Sequence, residues 1–409
     1  AERILSLYPE EKPRSWGPII FAGAGTVIFG LGVILLFAYN WERIPKFAKL
    51  AAVFASLAAA HAAGIYFRAR QIGKNFLPDA MHLLGTMLFG AGIWLVAQIY
   101  HIDEHYPNGL LIWGLGALFL AWALPSISQG VGAAVLFVLW GGFETFDFRH
   151  ANHYAALLIT AGIFPLAFHL RSLVLVGTSI PAAILAICFT CSFFDHLMPQ
   201  VFIFTSTALI ALGIAARKSD FFPESSPFLS FYGSIIYFIT LFVFTFPAVS
   251  EDIFRWHDIR NKAAFGYFIG LAALASASWL LVIFPLSKFR ENFGKSFNSG
   301  HLACVPVMLT VMFASGWLSG KDGWVGAALF NIIFLFHSIY LISSGCRNLS
   351  AKSAAAGTVM LGALAFARYA DLFDSLLVRG LVFILVGAAI FAVGIIYWKR
   401  KSSAAEVKQ

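Results

Sequence analysis

The feature that most constrains this chain is a recurrence: uninterrupted apolar runs near twenty residues long follow one another from end to end. A helix rising about 1.5 Å per residue needs that length to cross the hydrocarbon of a bilayer. A transmembrane barrel would instead alternate apolar and polar residues over segments of about ten, and no such alternation is present. Backbone groups in lipid must be hydrogen-bonded within their own segment, so helices are the remaining solution. The expected fold class is all-α, a polytopic transmembrane helical bundle.

About fourteen spans are expected: Gly17–Tyr39, Phe47–Phe67, Ala80–Tyr100, Gly109–Leu124, a short Gly130–Trp140, Tyr154–Leu170, Ser172–Phe193, Gln200–Ala215, Phe228–Val249, Ala263–Leu286, His301–Leu318, Trp324–Ser343, Ser353–Arg368 and Leu377–Trp398. Composition agrees, since 60% of the 409 residues are apolar and 12% charged, against roughly 45–50% and about 25% in soluble domains. The first run is too long for a signal-peptide core and reads as a retained span. Cys188 and Cys191 form a C-x-x-C pair inside an apolar run without zinc or redox companions, so they and Cys304 and Cys346 read as packing residues.

Charge sets the orientation. With both termini cytoplasmic, the inner loops and tails hold 18 of the 28 Lys and Arg residues, as the positive-inside rule requires. The basic residues are scattered singly, which argues against nucleic acid as a partner despite a net charge of +8. The outer side then collects acids, including Glu42, Asp103, Glu104, Glu144, Asp147, Asp371 and Asp374, and six of eleven histidines: His101, His105, His150, His153, His196 and His257. Acids contribute little to orientation, so their accumulation is a separate observation. Any chemistry is expected on that outer face.

An internal repeat links the first and third spans at an offset of sixty residues: GTVIFGLGVILLFAYNW from Gly25 and GTMLFGAGIWLVAQIYH from Gly85, with a fainter GTVMLG from Gly357. Gly25, Gly30 and Gly32 match Gly85, Gly90 and Gly92. Glycines this close give a helix a flat face that a neighbour's backbone can approach, so they are assigned to helix packing in repeated Gly-rich hairpins. A sharper alternative has the hairpins flanking a shared site, but copies of one orientation do not indicate an inverted-repeat transporter.

Each copy ends on the outer side in polar residues: Asn40, Trp41 and Glu42 after the first; Gln98, Tyr100, His101, Asp103, Glu104 and His105 after the second; Arg368, Tyr369 and Asp371 after the third. These are the ligand-binding candidates. His101 and His105 have metal-compatible types four residues apart, yet Pro107, Asn108 and Gly109 mark a turn directly afterwards and no third ligand is fixed by spacing. No metal and no cofactor are therefore assigned. Carboxylate pairs at Asp103 and Glu104, Glu144 and Asp147, or Asp371 and Asp374 suit general acid/base chemistry, but no nucleophile signature or phosphate-binding loop accompanies them. Within the bilayer His61, His82, His169, Asn331 and His337 read mostly as satisfied packing residues, and the scarcity of buried Asp, Glu and Lys weakens an ion-coupled transport reading. Tryptophans at span ends, such as Trp16, Trp41, Trp140, Trp324 and Trp398, read as interfacial anchors.

The stretches LLFAYNW from Leu35, IPKFAKLA from Ile44 and LLGTMLFGAGIWLVAQIYHIDEHYPNG from Leu83 resemble a bacterial membrane-protein family, domain of unknown function 2157. The resemblance is specific from Trp16 to Pro125, and ARYADLFDSLLVRGLVFILVGAAIF from Ala367 is similar to the family's ending. It implies a Gram-negative inner membrane and implies no reaction. The regions expected are a cytoplasmic segment 1–16, a family-like region 17–125 with two hairpin repeats, a variable middle 126–352, a C-terminal hairpin 353–398 and a cytoplasmic tail 399–409.

The leading expectation is a non-enzymatic inner-membrane protein whose periplasm-facing cluster binds a ligand, a lipid head group, or a periplasmic or membrane-anchored protein partner, in envelope transport or assembly. The alternative is a membrane-embedded enzyme acting on a lipid-linked or glycan substrate from the periplasmic side.

Overall fold

A computed structural model describes residues 45–73, 76–101, 105–194, 197–218, 222–254, 262–283 and 323–372, with isolated helical positions in 21–32, Val305 and further positions in 384–395. The described residues are helical with short turns and contain no strand. They divide into two compact units, Ala1–Thr190 and Cys191–Gln409. Eight helices are long and apolar enough to cross a membrane, and two shorter apolar helices, Pro107–Ala123 and His153–His169, accompany them. The first, eleventh and fourteenth expected spans lie wholly or mostly outside the described residues, and with them Gly30; the other eleven overlap helices, one of them, Phe228–Val249, divided between two.

In the first unit the helices are α1 Lys46–Ala69, α2 Phe76–Tyr100, α3 Pro107–Ala123, α4 Ile127–Phe146, α5 His153–His169 and α6 Leu173–Cys191. Lipid offers no hydrophobic drive between helices, so close approach at small residues has to hold them. Such approaches are reciprocal here. A methyl group at Gly64 of α1 would lie 2.8 Å from the His82 ring of α2, and one at Gly85 of α2 would lie 2.6 Å from His61 of α1. Between α2 and α3, Gly90 makes room for the Trp113 indole and Gly116 for Phe89. Gly92 faces Val53, whereas Gly25 and Gly32 have no neighbour within 4 Å among the described residues.

A buried polar chain runs through this packing. His61 and His82 meet through their Nδ1 atoms at 3.1 Å. The Thr86 hydroxyl lies 3.1 Å from the His82 carbonyl and 2.8 Å from the Gln129 Oε1 of α4, with both oxygens placed to accept its hydrogen.

The short expected span, Gly130–Trp140, is a full twenty-residue helix, because α4 starts at a Ser126 cap that accepts from the Gln129 N–H and continues beyond Trp140 to bury Glu144 and Thr145. In α5 the turn Ile159–Ile163 is a wider π turn. It precedes Pro165, whose ring would collide with the carbonyl one turn back in a regular α-helix.

The second unit contains α7 Met198–Lys218, α8 Ser226–Val243, a short α9 Pro247–Phe254, α10 Lys262–Ile283, α11 Gly323–Arg347 and α12 Ala351–Leu372. Its core gathers Ile210, Tyr237, Leu241, Trp279, Phe330 and Phe334. The Tyr237 hydroxyl and His337 Nε2 are 3.0 Å apart, joining α8 to α11. Gly357, where the sequence suggests a third copy of the repeat, sits against the Ser338 carbonyl and Ile342 of α11. The expected run Phe228–Val249 breaks after Val243, and Pro247 opens a separate helix, as a proline lacking its N–H does at a first turn.

Candidate functional site

A second set of polar residues in the first unit, His105, Tyr106, Glu144, Asp147 and His150, meets at the end that carries the α2–α3 and α4–α5 connections. Helix α2 stops at Tyr100, and His101 takes a left-handed conformation with φ 53°. The chain returns at His105, and α3 begins at Pro107 rather than Gly109. The Pro107-Asn108-Gly109 sequence thus forms a first helical turn, where a missing N–H costs nothing.

On the facing side, α4 ends with Asp147 at its C-cap. Arg149 adopts φ 55°, and the His150 N–H donates to the Glu144 carbonyl at 2.9 Å, folding His150 back over the last turn. His105 Nε2 stands 2.7 Å from Glu144 Oε1, and His150 Nδ1 stands 3.7 Å from Glu144 Oε2. The Trp140 indole N–H donates to the same Oε1 at 3.1 Å. The His105 ring packs edge-on against Phe148, with centroids 4.0 Å apart. Tyr106 donates its hydroxyl to Asp147, and this hydrogen bond to a carboxylate raises the phenol above its usual range.

The side chains become steadily more accessible outward, from Glu144 at 9% through His105 at 28% to His150 at 69%. A buried carboxylate is thus held by an indole and an imidazole, with a second imidazole at the surface. The Glu144 and Asp147 carboxylates do not work as a pair, because Glu144 is engaged by His105 and Trp140 and Asp147 by Tyr106.

Beside this cluster a groove of about 830 Å³ lies between α1, α2 and α3. Leu50, Val53, Phe54, Leu57, Phe89 and Ile93 form its apolar length, and Gln98, His101, His105, Tyr106 and Asn108 line its polar part.

A family match falls within the first unit. Residues 1–130 match the model of the family described as predicted membrane protein, DUF2157. No curated protein and no solved structure matches the chain. The DUF2157 stretch contains α1, α2, α3, the groove and His105, and it ends in the first turn of α4, so Glu144 and His150 lie beyond it. The chain is a membrane protein with several spanning helices.

Of the residues singled out from sequence, Gln98, His101 and His105 come together at the groove, and Tyr100 is exposed beside it. Asn40, Trp41, Glu42, Asp103 and Glu104 lie outside the described residues, as do the side chains of Tyr369 and Asp371. Arg368 belongs to the second unit, where its guanidinium donates to the Thr245 hydroxyl at 3.3 Å and covers the Phe246 ring at 4.6 Å. The convergence of three repeat ends at one place therefore lies outside the described residues. Sequence reasoning placed Glu144 and His150 on the outer face without joining them to His105. The contact spans 39 positions of chain, and no local periodicity carries it.

Proposed function

We propose that the chain binds an amphipathic lipid in a bacterial inner membrane, with the acyl part along the α1–α2–α3 groove and the head group at the rim of Gln98, His101, His105, Tyr106 and Asn108, facing the periplasm. The observation that carries this reading is the groove itself, apolar along its length and polar at one end, with a volume inside the usual range of about 300–1,000 Å³ for ligand sites. Its orientation follows from charge: Arg68, Arg70 and Arg171 fall at the connections of the opposite end, where the positive-inside rule puts the cytoplasm.

Apolar walls give a lipid chain little advantage over the bilayer it leaves, because both are equally dry. Selection then rests on hydrogen bonds at the rim, which is the part of the groove that bulk lipid cannot imitate. A role in envelope transport or assembly, with lipid as cargo or as a structural ligand, is consistent with such a site.

Native mass spectrometry of the full chain released from its membrane tests the reading. One lipid-sized adduct is expected on the unaltered protein and a several-fold lower occupancy on Val53→Trp, which fills the groove opposite Gly92, with the helical circular dichroism unchanged. No adduct, or an adduct indifferent to Val53→Trp, refutes it.

A second reading, an enzyme acting on a lipid-linked substrate from the same side, is favoured by one observation. The buried Glu144 carboxylate meets His105, and His105 also lines the groove.

A further inference from the structure

We infer that His105, Glu144 and His150 form a binding site for a divalent transition metal of the zinc class. One ligand atom from each of the three lies within 4.8 Å of the others. A tetrahedral zinc bound at about 2.1 Å sets neighbouring donor atoms roughly 3.4 Å apart. The two separations from the Glu144 carboxylate, 2.7 Å to His105 Nε2 and 3.7 Å to His150 Nδ1, fall on either side of that spacing. Opening the His105 Nε2–Glu144 Oε1 pair by about 0.7 Å and closing the His150 Nδ1–Glu144 Oε2 pair by about 0.3 Å, through side-chain torsions, brings both to it.

The three ligands are held by separate pieces of backbone. Glu144 sits in the last turn of α4, His150 is folded back by the Arg149 turn, and His105 stands two residues before the start of α3, next to its N-cap Tyr106. The Trp140 indole holds the carboxylate and Phe148 packs against the His105 ring, which are the supporting contacts that orient metal ligands. Two imidazole nitrogens with one carboxylate suit zinc or cobalt over magnesium or calcium, which prefer all-oxygen shells. To bind the cation, His105 presents the Nε2 lone pair and carries its hydrogen on Nδ1.

Three protein ligands leave a fourth position, and the exposed His150 side puts that position toward solvent. One carboxylate against a dication leaves a net single positive charge, so the open position accepts water or an anionic oxygen. The site stands independently of the lipid reading, although His105 is common to both.

The full chain in detergent, stripped with a chelator, is titrated calorimetrically with Zn2+ alone, and Co2+ loading is followed by its visible d–d absorption. About one equivalent of Zn2+ is expected, with affinity reduced at least tenfold in Glu144→Gln and in His150→Ala, whose exposed side chain makes loss of folding no explanation. His169→Ala, an exposed histidine of α5 at the other end of the helix, should leave the titration unchanged. Absence of saturable Zn2+ binding, or binding that survives both ligand substitutions, overturns the assignment. Lipid occupancy is read separately by mass, so either reading can fail without the other.

Discussion

His61 and His82 face each other across the α1–α2 interface with Nδ1 atoms 3.1 Å apart, and each ring lies against a glycine of the opposite helix, His61 on Gly85 and His82 on Gly64. The pair and its glycines are one device. Two imidazoles can stack between two spans only if both backbones give up a side chain where the rings lie. Among the described residues the buried Nε2 of His82 has no hydrogen-bond partner, so the Nδ1 contact with His61 and packing around the ring hold it.

Gly64→Ala is accordingly expected to destabilise the chain by ~1–3 kcal/mol, the usual cost of overpacking. The new methyl would meet His82, which is only 2% exposed and has nowhere to swing. Gly85→Ala should cost less, because His61 is only partly buried and can give way. Thermal melting in detergent measures both. Adding His82→Ala to Gly64→Ala should recover part of the loss, the non-additivity expected of residues in contact.

The break between α8 and α9 has its own fastening. Asn331 donates to the Thr245 carbonyl at 3.0 Å and Arg368 donates to the Thr245 hydroxyl while covering Phe246. Arg368→Ala is expected to cost about 1–2 kcal/mol through lost stacking and packing of the long side chain. Arg368→Lys should restore only part of it, since an ammonium lacks the planar guanidinium face. A double variant with Asn331→Ala, followed by melting in detergent, should show coupling, because both side chains act on one residue.

Orientation is open to direct test. In a background with Cys188, Cys191, Cys304 and Cys346 replaced, His150→Cys should react with a membrane-impermeant maleimide on intact spheroplasts. Arg171→Cys, also exposed but at the opposite end, should react only after lysis. The reverse pattern would invert the topology and put the His105–Glu144 cluster in the cytoplasm.

The helical spans were legible because run length and hydropathy are local properties, and lipid removes most alternatives to a helix. Boundaries were less so. Glu144 and Thr145 look like the end of a span in the sequence, yet both are buried, Glu144 because Trp140 one turn back and His105 supply donors, the second of which the sequence does not place beside it. Pro107 looks like a turn and instead starts α3. The π turn at Ile159–Ile163 leaves no mark in the hydropathy, and only Pro165 hints at it. Gly85 and Gly90 were visible as closely spaced glycines, but their counterparts in space, His61 and Trp113, could not be paired with them from the sequence. The site was half legible: residue types pointed to one face, while the joining of His105 to Glu144 and His150 depends on how two hairpins pack.

The central claim is that a lipid occupies the α1–α2–α3 groove, and photo-crosslinking in native membranes measures it most directly. With a lipid carrying a diazirine in its acyl chain, the account predicts labelled peptides concentrated on Leu50–Leu57 and Phe89–Ile93, and lost in Val53→Trp. Labelling spread evenly over exposed apolar faces, such as Phe231 and Ile239 of α8, with no excess in the groove, would contradict it.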